Sequence, residues 1–324
     1  MNYGPLIFLA AFFALASSWF GFVLTPAVQV GWLQQTNTLV VAAPYPVGRP
    51  GLARQGLDVY RANGCAYCHS QQLGQMRTVC DVTLVEAGTN QAALVEALLK
   101  VTRETAEPQA ITPGLRNLPR ALLETEVKGF PLGLPKTVLK GVTRENADAA
   151  IKTLNASGAK SSLEIVPVGP DIARGWGKRR SVAEDFLYDY PVMLGSQRIG
   201  PDLAGVGARW PDANWHLLHL YAPGNTVKGS TMPPYRFLFE KRRIESARSS
   251  EALDLPEALA PGSRYEIVPK PEARALAAYL VSLRADAPLF DAPLTVPAPA
   301  TTTNAPAAPG ATSTNAAATN TATK

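Results

Sequence analysis

The stretch Cys65-Ala66-Tyr67-Cys68-His69 is the feature around which the rest of the chain can be interpreted. Two cysteines spaced C-x-x-C and followed at once by a histidine form the attachment signature of a c-type haem. The two thiols reach the two vinyl groups of one porphyrin, and the adjacent imidazole then lies under the iron as its proximal ligand. We therefore predict one covalent haem c, bound through Cys65, Cys68 and His69.

Two other uses of the motif remain open, a thioredoxin-like redox pair and half of a zinc site. A redox pair does not need the histidine. The chain has three Cys and three His in 324 residues, so a four-ligand zinc site would consume most of them. With Cys65 and Cys68 committed to haem, Cys80 has no thiol partner, and a disulfide framework is not expected.

Charge and composition narrow the classes of function. The formal net charge is +5, and no Lys/Arg run is interleaved with aromatic residues, so nucleic-acid binding is not predicted. The clusters at 178–180 and 241–243 are interpreted as solvated or membrane-proximal charge. The carboxylates are scattered and no phosphate-binding glycine loop precedes a helix with Lys, so we predict a non-catalytic chain.

The N-terminus predicts a single transmembrane anchor over residues 1–25. Residues 3–24 carry no charge and would form roughly 33 Å of helix, enough to cross a bilayer core. A cleaved signal peptide is the alternative, but it would want a basic start, and the first Lys or Arg is Arg49. Residues 26–50, which contain Pro26, Pro44, Pro46 and Pro50, are predicted to be an extended linker.

Two later stretches supply partners for the haem. The glycine-rich loop at 199–207 contains Pro201 and offers a backbone carbonyl that can accept the Nδ1–H of His69. Met232, between Ser230-Thr231 and Pro233-Pro234, is the best placed of the four methionines to be the sixth ligand. His216 and His219, on a predicted helix at 214–221, are the rival ligands, and their default interpretation is packing.

Helices at 52–63 and 271–283 are predicted to pack on each other and close a small all-α domain. This domain comprises residues 51–78 and 169–290, and we call it the haem domain. Residues 291–324 are rich in Pro, Ala, Thr and Asn and are predicted to be a disordered tail.

In order, PLIFLAAFFALASSWFGFVLTP, GCAYCHSQQ, YDYPVMLGSQRIGPDLAGVGARW, WHLLHLYAP and STMPPYRFL resemble the mono-haem, membrane-anchored subunit of cbb3-type cytochrome c oxidases. The resemblance covers residues 1–78 and 171–240, and 271–283 looks like the C-terminal helix of class I cytochromes c. It implies an electron relay from a dihaem subunit or a soluble cytochrome c to a haem–copper catalytic subunit that reduces O₂. His69 and Met232 match the axial positions. Residues 73–77 depart from the family, which commonly has Arg-Pro there.

Residues 79–168, which we call the insert, interrupt the haem domain with an α/β pattern of their own. Strands are predicted at 79–85, 137–142 and 163–168, and helices at 90–102, 115–125 and 143–156. The sequence resembles the C-terminal domain of the bacterial ribosomal stalk protein, with a longer middle. Gln91 and Glu96 stand where that family has Lys for translation factors, so factor binding is not expected. Cys80 is predicted to be a buried, inert thiol.

The predicted fold is therefore mainly α: a transmembrane helix, a class I cytochrome c-like domain, a small α/β insert and a disordered tail. Because haem c is normally attached outside the cytoplasm, the inner membrane would hold the anchor and the periplasm the haem domain. An anchored cytochrome serving a nitric-oxide-reductase-like complex and a haem sensor using the insert as its output remain alternatives. The insert is either a docking module or a tolerated addition.

Overall fold

The computed structural model describes residues 3–49, 51–105, 108–113, 115, 116, 119, 124, 125 and 133–295. The chain begins with α1 (Gly4–Trp19), a π-helical turn at Phe20–Leu24 and α2 (Thr25–Gly31), which run on as one helix. The helix Gly4–Gln29 is long and apolar enough to cross a membrane, and its most apolar stretch has no buried residue. The predicted N-terminal helix is confirmed as a candidate membrane span.

The prediction of an extended linker from residue 26 is wrong for its first residues. Proline removes a backbone N–H and usually ends a helix. Here the N–H of Thr25 bonds to the carbonyl of Phe20, five residues back, and the Thr25 hydroxyl donates to the same oxygen at 2.9 Å. This π turn places Pro26 so that the helix continues to Gly31.

The rest of the predicted linker lies against the haem domain. A short hairpin forms from β1 (Thr36–Asn37) and β2 (Pro44–Tyr45). The Leu39 N–H donates to the Pro288 carbonyl at 3.0 Å, so a segment far along the chain holds the hairpin. This segment is therefore part of the folded body rather than a free tether.

The predicted helix at 52–63 is confirmed as α3 (Leu52–Ala62), and the insert follows it. The elements of the insert are β3 (Arg77–Glu86), α4 (Gln91–Glu104), β4 (Lys136–Val142), α5 (Arg144–Ala156) and β5 (Lys160–Val168). The side chains of Asn90 and Thr143 cap α4 and α5 by accepting from backbone N–H groups three residues on. The predicted helix at 115–125 lies largely outside the described residues.

The insert has its own sheet and core. The strand order is β4-β3-β5, all antiparallel, and both helices contribute to one apolar cluster that contains Cys80. Cys80 is 4% exposed, and burial raises the pKa of its thiol, as expected for an inert cysteine. The three predicted strands of the insert are confirmed as β3, β4 and β5, but β3 begins at Arg77, two residues before the predicted boundary.

The insert joins the haem domain through a narrow neck formed by its first and last strands. Arg77 pairs with Val168 in the sheet, and the Met76 N–H donates to the Val168 carbonyl at 2.9 Å. A Cβ on Gly169 would lie 3.1 Å from the Gln75 backbone, so the two crossings are in close contact. Because its ends are adjacent, the insert interrupts the haem domain without separating the halves of that domain.

The second half of the haem domain is short helices, a hairpin and a terminal helix. Its elements are α6 (Pro170–Ala173), α7 (Val206–Arg209), α8 (Ala213–Tyr221), α9 (Pro223–Thr226), β6 (Phe239–Arg243), β7 (Tyr265–Pro269) and α10 (Pro271–Ser282). The predicted helices at 214–221 and 271–283 are confirmed as α8 and α10. A Cβ on Gly56 of α3 would lie 1.9 Å from the Ala275 carbonyl of α10, so glycine permits the close crossing of these helices.

Two predictions about polar segments require correction. Arg179 of the predicted solvated cluster is fully buried, and its guanidinium pairs with Asp185 at 2.8 Å. It also donates to the Ala287 carbonyl and the Tyr45 hydroxyl, so it joins segments that are far apart in sequence. The predicted tail begins too early, because Ala292 is 2% exposed and Thr295 bonds to Ile165 at the free edge of β5. Residues 296–324 of the predicted tail lie outside the described residues.

Candidate functional site

The C-x-x-C-H motif begins where α3 ends. Gly64 adopts a left-handed conformation (φ +67°) that turns the chain after the helix, and a 3₁₀ turn follows at Cys65–Tyr67. The His69 N–H donates to the Cys65 carbonyl at 3.0 Å, which closes the motif into one compact turn. The local backbone therefore brings both thiols and the imidazole together on one short loop.

The loop at 199–204 packs directly against the His69 ring. Nδ1 of His69 lies 2.8 Å from the carbonyl oxygen of Pro201, which can only accept, so Nδ1 carries the proton and Nε2 is free to bind a metal. A Cβ on Gly200 would lie 2.2 Å from Cε1 of His69, so this position has room only for glycine. Burial lowers the pKa of His69, which favours the neutral imidazole that ligates metals.

The two thiols do not have the character of a redox pair. Cys65 and Cys68 are both free, and burial raises the pKa of the Cys65 thiol to about 12. Catalytic C-x-x-C thiols have lowered pKa values, because the thiolate is the nucleophile. Among the described residues, no group of three or more His, Cys, Asp or Glu side chains is arranged to hold a metal ion.

A cavity of about 400 Å³ opens beside the motif, within the usual size range of cofactor sites. Its walls come from the loop at 199–203, from α7 and α8, and from the segment at 227–235. The lining is mainly apolar and includes Cys68, His69, Pro201, Leu203, Val206, Arg209, Trp210, Trp215, His216, His219, Leu220, Met232, Tyr235 and Leu280.

Met232 lines the same cavity as His69 and packs against the main core of the haem domain. Its backbone N–H lies 3.3 Å from the Ser230 hydroxyl, within the short turn that precedes the two prolines. Met76 is 80% exposed at the neck of the insert, and Met193 packs on the core without lining the cavity. Of the methionines that the structure describes, Met232 is therefore the one that lines the cavity together with His69.

The two histidines of α8 line the cavity in different ways. Nε2 of His216 lies 2.8 Å from the Trp210 carbonyl, so this nitrogen donates and the ring serves packing. Nδ1 of His219 lies 2.5 Å from the Thr226 hydroxyl, which itself donates to the Pro223 carbonyl. His219 therefore donates through Nδ1 and keeps Nε2 free, so it remains the geometric rival of Met232.

Arg209 is a cavity residue that the sequence reasoning missed. One terminal nitrogen donates to the Asp202 carbonyl, but its buried Nε has no hydrogen-bond partner in the described part of the chain. Burial lowers the pKa of Arg209, since a cation in an apolar wall lacks solvation. Such a guanidinium suits an anionic group of a bound ligand, and only its place after the glycine loop could have suggested it.

Comparisons with known proteins support two separate likenesses. The family described as "Cytochrome C oxidase, mono-heme subunit/FixO" matches residues 159–278. The matched region holds Pro201, Arg209 and Met232. It begins after the C-x-x-C-H motif, one residue before the last strand of the insert, so the motif itself lies outside it.

The second likeness is to large ribosomal subunit protein bL12. The proteins from Paracidovorax citrulli and Delftia acidovorans are each 32% identical to this chain over 88 residues, which is 27% of this chain and 56% of theirs. The protein from Acidovorax sp. is 31% identical over the same length. The chain therefore spans about half the length of these relatives, and the likeness is consistent with an inserted domain.

Proposed function

We propose that this chain is a membrane-anchored, mono-haem c electron-transfer subunit of a cbb3-type terminal oxidase. The observation that carries the proposal is the meeting of His69 and Met232 in one cavity, beside the two free cysteines of the motif. The family match over residues 159–278 supports the same function. The chain would pass electrons to a haem–copper catalytic subunit and perform no oxygen chemistry itself.

The residues that the structure brings together fit a haem c. Cys65 and Cys68 would form its thioether links, and His69 and Met232 its axial bonds. The free Nε2 of His69 and the close packing of Gly200 against its ring would suit an imidazole held rigidly as an iron ligand. Arg209 would meet the porphyrin carboxylates, because its unpartnered Nε needs an anion at the cavity wall.

The group supplies reversible one-electron exchange between ferric and ferrous iron when bound. The chain's residues would fix the conditions of that exchange. Pro201 holds the tautomer of His69, and ligation from both sides would leave no open position for O₂. The apolar lining would exclude water and favour the form with less net charge.

Electrons would enter and leave at the rim of the cavity. Ile199 (65% exposed), Trp210 (44%) and Val227 (42%) form an apolar edge where the lining reaches the surface. The N-terminal helix would hold this edge near the catalytic subunit, with the haem domain in the periplasm and the inner membrane beside it. A dihaem subunit or a soluble cytochrome c would be the electron donor.

The test is purification of the full-length chain from its own membranes in mild detergent, followed by haem analysis and O₂ turnover. The proposal expects a large multi-span subunit with b-type haem and copper to copurify, and the haem c to be reoxidised by O₂ through it. Recovery of this chain alone, with one haem c and no O₂ reduction, would instead indicate a free-standing anchored cytochrome.

Carbon monoxide provides a second readout of the same preparation. Because His69 and Met232 would occupy both axial positions, the ferrous haem should bind CO only after denaturation. Ready binding of CO by the native protein would contradict the relay and would favour the sensor alternative.

A further inference from the structure

A polar network with two buried carboxylates lies beside the motif, between the loop at 199–204 and the neck of the insert. Its centre is Arg198, which is 38% exposed at the side chain, between two carboxylates, Asp171 (2%) and Asp202 (0%). Neither the haem motif nor the cavity lining includes these three residues. Because the two carboxylates are withdrawn from water, their charges interact with neighbouring charged groups more strongly than they would at the surface.

Arg198 contacts four groups through its guanidinium. Its Nε donates to the Ser70 hydroxyl at 2.9 Å, one terminal nitrogen donates to Asp171 at 2.9 Å, and the other donates to the Gln72 carbonyl. The second carboxylate, Asp202, lies 3.7 Å away. Arg198 therefore ties the residues that directly follow His69 to the segment that directly follows the insert.

Asp202 completes the connection to the proximal histidine. It accepts from the Ser70 hydroxyl at 2.5 Å and from the Gln72 N–H at 2.8 Å. It also follows Pro201, whose carbonyl holds Nδ1 of His69 at 2.8 Å. Two hydrogen bonds, through Ser70, therefore connect Arg198 to Asp202, which directly follows the Pro201 that orients His69.

Asp171 completes the connection to the insert. It accepts from the Gly74 N–H at 2.7 Å, and Gly74 and Asp171 flank the two crossings of the neck. Arg174 lies 3.7 Å from the same carboxylate but is exposed and contacts neither Ser70 nor Gln72 in the described contacts. The carboxylate at the neck therefore depends on Arg198 for its link to the haem side.

We propose that Arg198 and Asp171 are positioning residues for His69, through which the neck of the insert helps to set the reduction potential of the haem. This inference rests on the proposed function, since it requires a haem at His69. Arg198 contacts Ser70, the neighbour of His69, and its positive charge would favour the ferrous state of a haem bound there, whereas the negative charge of Asp171 would favour the ferric state. The two residues therefore act on the potential with opposite signs.

The test compares Arg198→Gln, Arg198→Lys and Asp171→Asn in the full-length, haem-loaded chain. The readout is the ferric-to-ferrous ratio at a fixed ambient potential, measured by visible absorbance. Arg198→Gln should raise this ratio by about threefold to tenfold, where tenfold equals 59 mV for one electron. Asp171→Asn should lower it, and Arg198→Lys should restore most of the wild-type value.

Arg242→Gln is the matched control, because Arg242 also pairs a half-exposed guanidinium with a buried carboxylate, Glu266, at 2.6 Å. Arg242 lies on β6, in the two-stranded β6–β7 sheet, so removal of its charge should leave the ferric-to-ferrous ratio unchanged. Shifts of the same sign in Arg198→Gln and Asp171→Asn, or no shift in either, would overturn the inference. A wild-type chain without haem would overturn the proposed function instead. If Arg198→Gln fails to accumulate, a lowered ratio in Asp171→Asn together with a near wild-type ratio in Arg198→Lys supports the inference, and a raised or unchanged ratio in Asp171→Asn overturns it.

Discussion

The insert and the haem domain lie in one chain, but their interiors differ in what they leave unsatisfied. The described part of the insert packs an apolar core, and the groove between α4 and α5 is only about 50 Å³. The haem domain has a cavity of about 400 Å³, and the buried Nε of Arg209 in its wall has no hydrogen-bond partner among the described residues. The comparison indicates that the described part of the insert is filled by its own side chains, whereas the haem domain keeps a cavity of cofactor size.

Removal of both attachment cysteines should have the largest effect. An empty cavity of this size would cost up to roughly 10 kcal/mol, which is comparable with the whole stability of a domain. In Cys65→Ser/Cys68→Ser we expect the unfolding transition of the haem domain to disappear while that of the insert persists. Calorimetry of this variant beside the unsubstituted chain measures this, and two unchanged transitions would contradict the comparison.

Matched truncations in the two cores should separate the domains. Leu98 in the insert and Leu276 in the haem domain are 0% and 1% exposed. Each change to Ala should cost about 2–5 kcal/mol, because it removes contacts and leaves a cavity. Leu98→Ala should lower only the insert's transition and leave the haem spectrum unchanged, whereas Leu276→Ala should lower only the other. A single shared transition would show that the domains unfold together.

Gly200→Ala should damage the haem site with a smaller effect on stability. The added Cβ would lie 2.2 Å from the His69 ring, so the loop must move at a cost of about 1–3 kcal/mol. We expect less bound haem per chain and an altered axial spectrum. Gly224→Ala is the control, since a Cβ there meets nothing within 4 Å. Equal haem content in both variants would contradict the packing of Gly200 on His69.

The smallest expected effect is a pH dependence from His219. Burial, followed by the nearby His216 and His69, lowers its pKa from 6.5 to about 4. Its stabilising contribution is therefore complete above pH 6.5 and is lost as the pH falls towards 4, because the unfolded chain binds the proton first. His219→Gln should flatten the pH dependence of the haem domain's unfolding free energy by roughly 1 kcal/mol after solvent screening. An unchanged slope in denaturant titrations would contradict this assignment.

Local signals in the sequence predicted much of the fold. The α3 and α10 helices follow from apolar periodicity, and α4 and α5 begin directly after Asn90 and Thr143, whose side chains cap them. The pattern failed at Pro26, because a π turn and a side-chain hydroxyl compensate for the missing backbone donor. It also missed β6 and β7, whose pairing joins residues far apart in the chain.

The site was predicted only in part, because local sequence signals mark some of its residues and not others. The motif, Pro201 and Met232 carry recognisable neighbours in sequence, and the structure brings them to one loop cluster and one cavity. Arg209, and the link from Arg198 to Asp171, depend on contacts between distant segments that no local pattern records. The buried Arg179 shows the same limit, since a basic cluster gives no sign of which member is enclosed.

The central claim is that Cys65 and Cys68 carry one covalent haem while Cys80 is an enclosed thiol. Intact mass spectrometry of the full-length chain from its own membranes, with thiol labelling before and after denaturation, tests it most directly. The account predicts the added mass of one haem, no labelled thiol in the native protein and one after denaturation. A chain without the added mass that labels at all three cysteines after denaturation would contradict it.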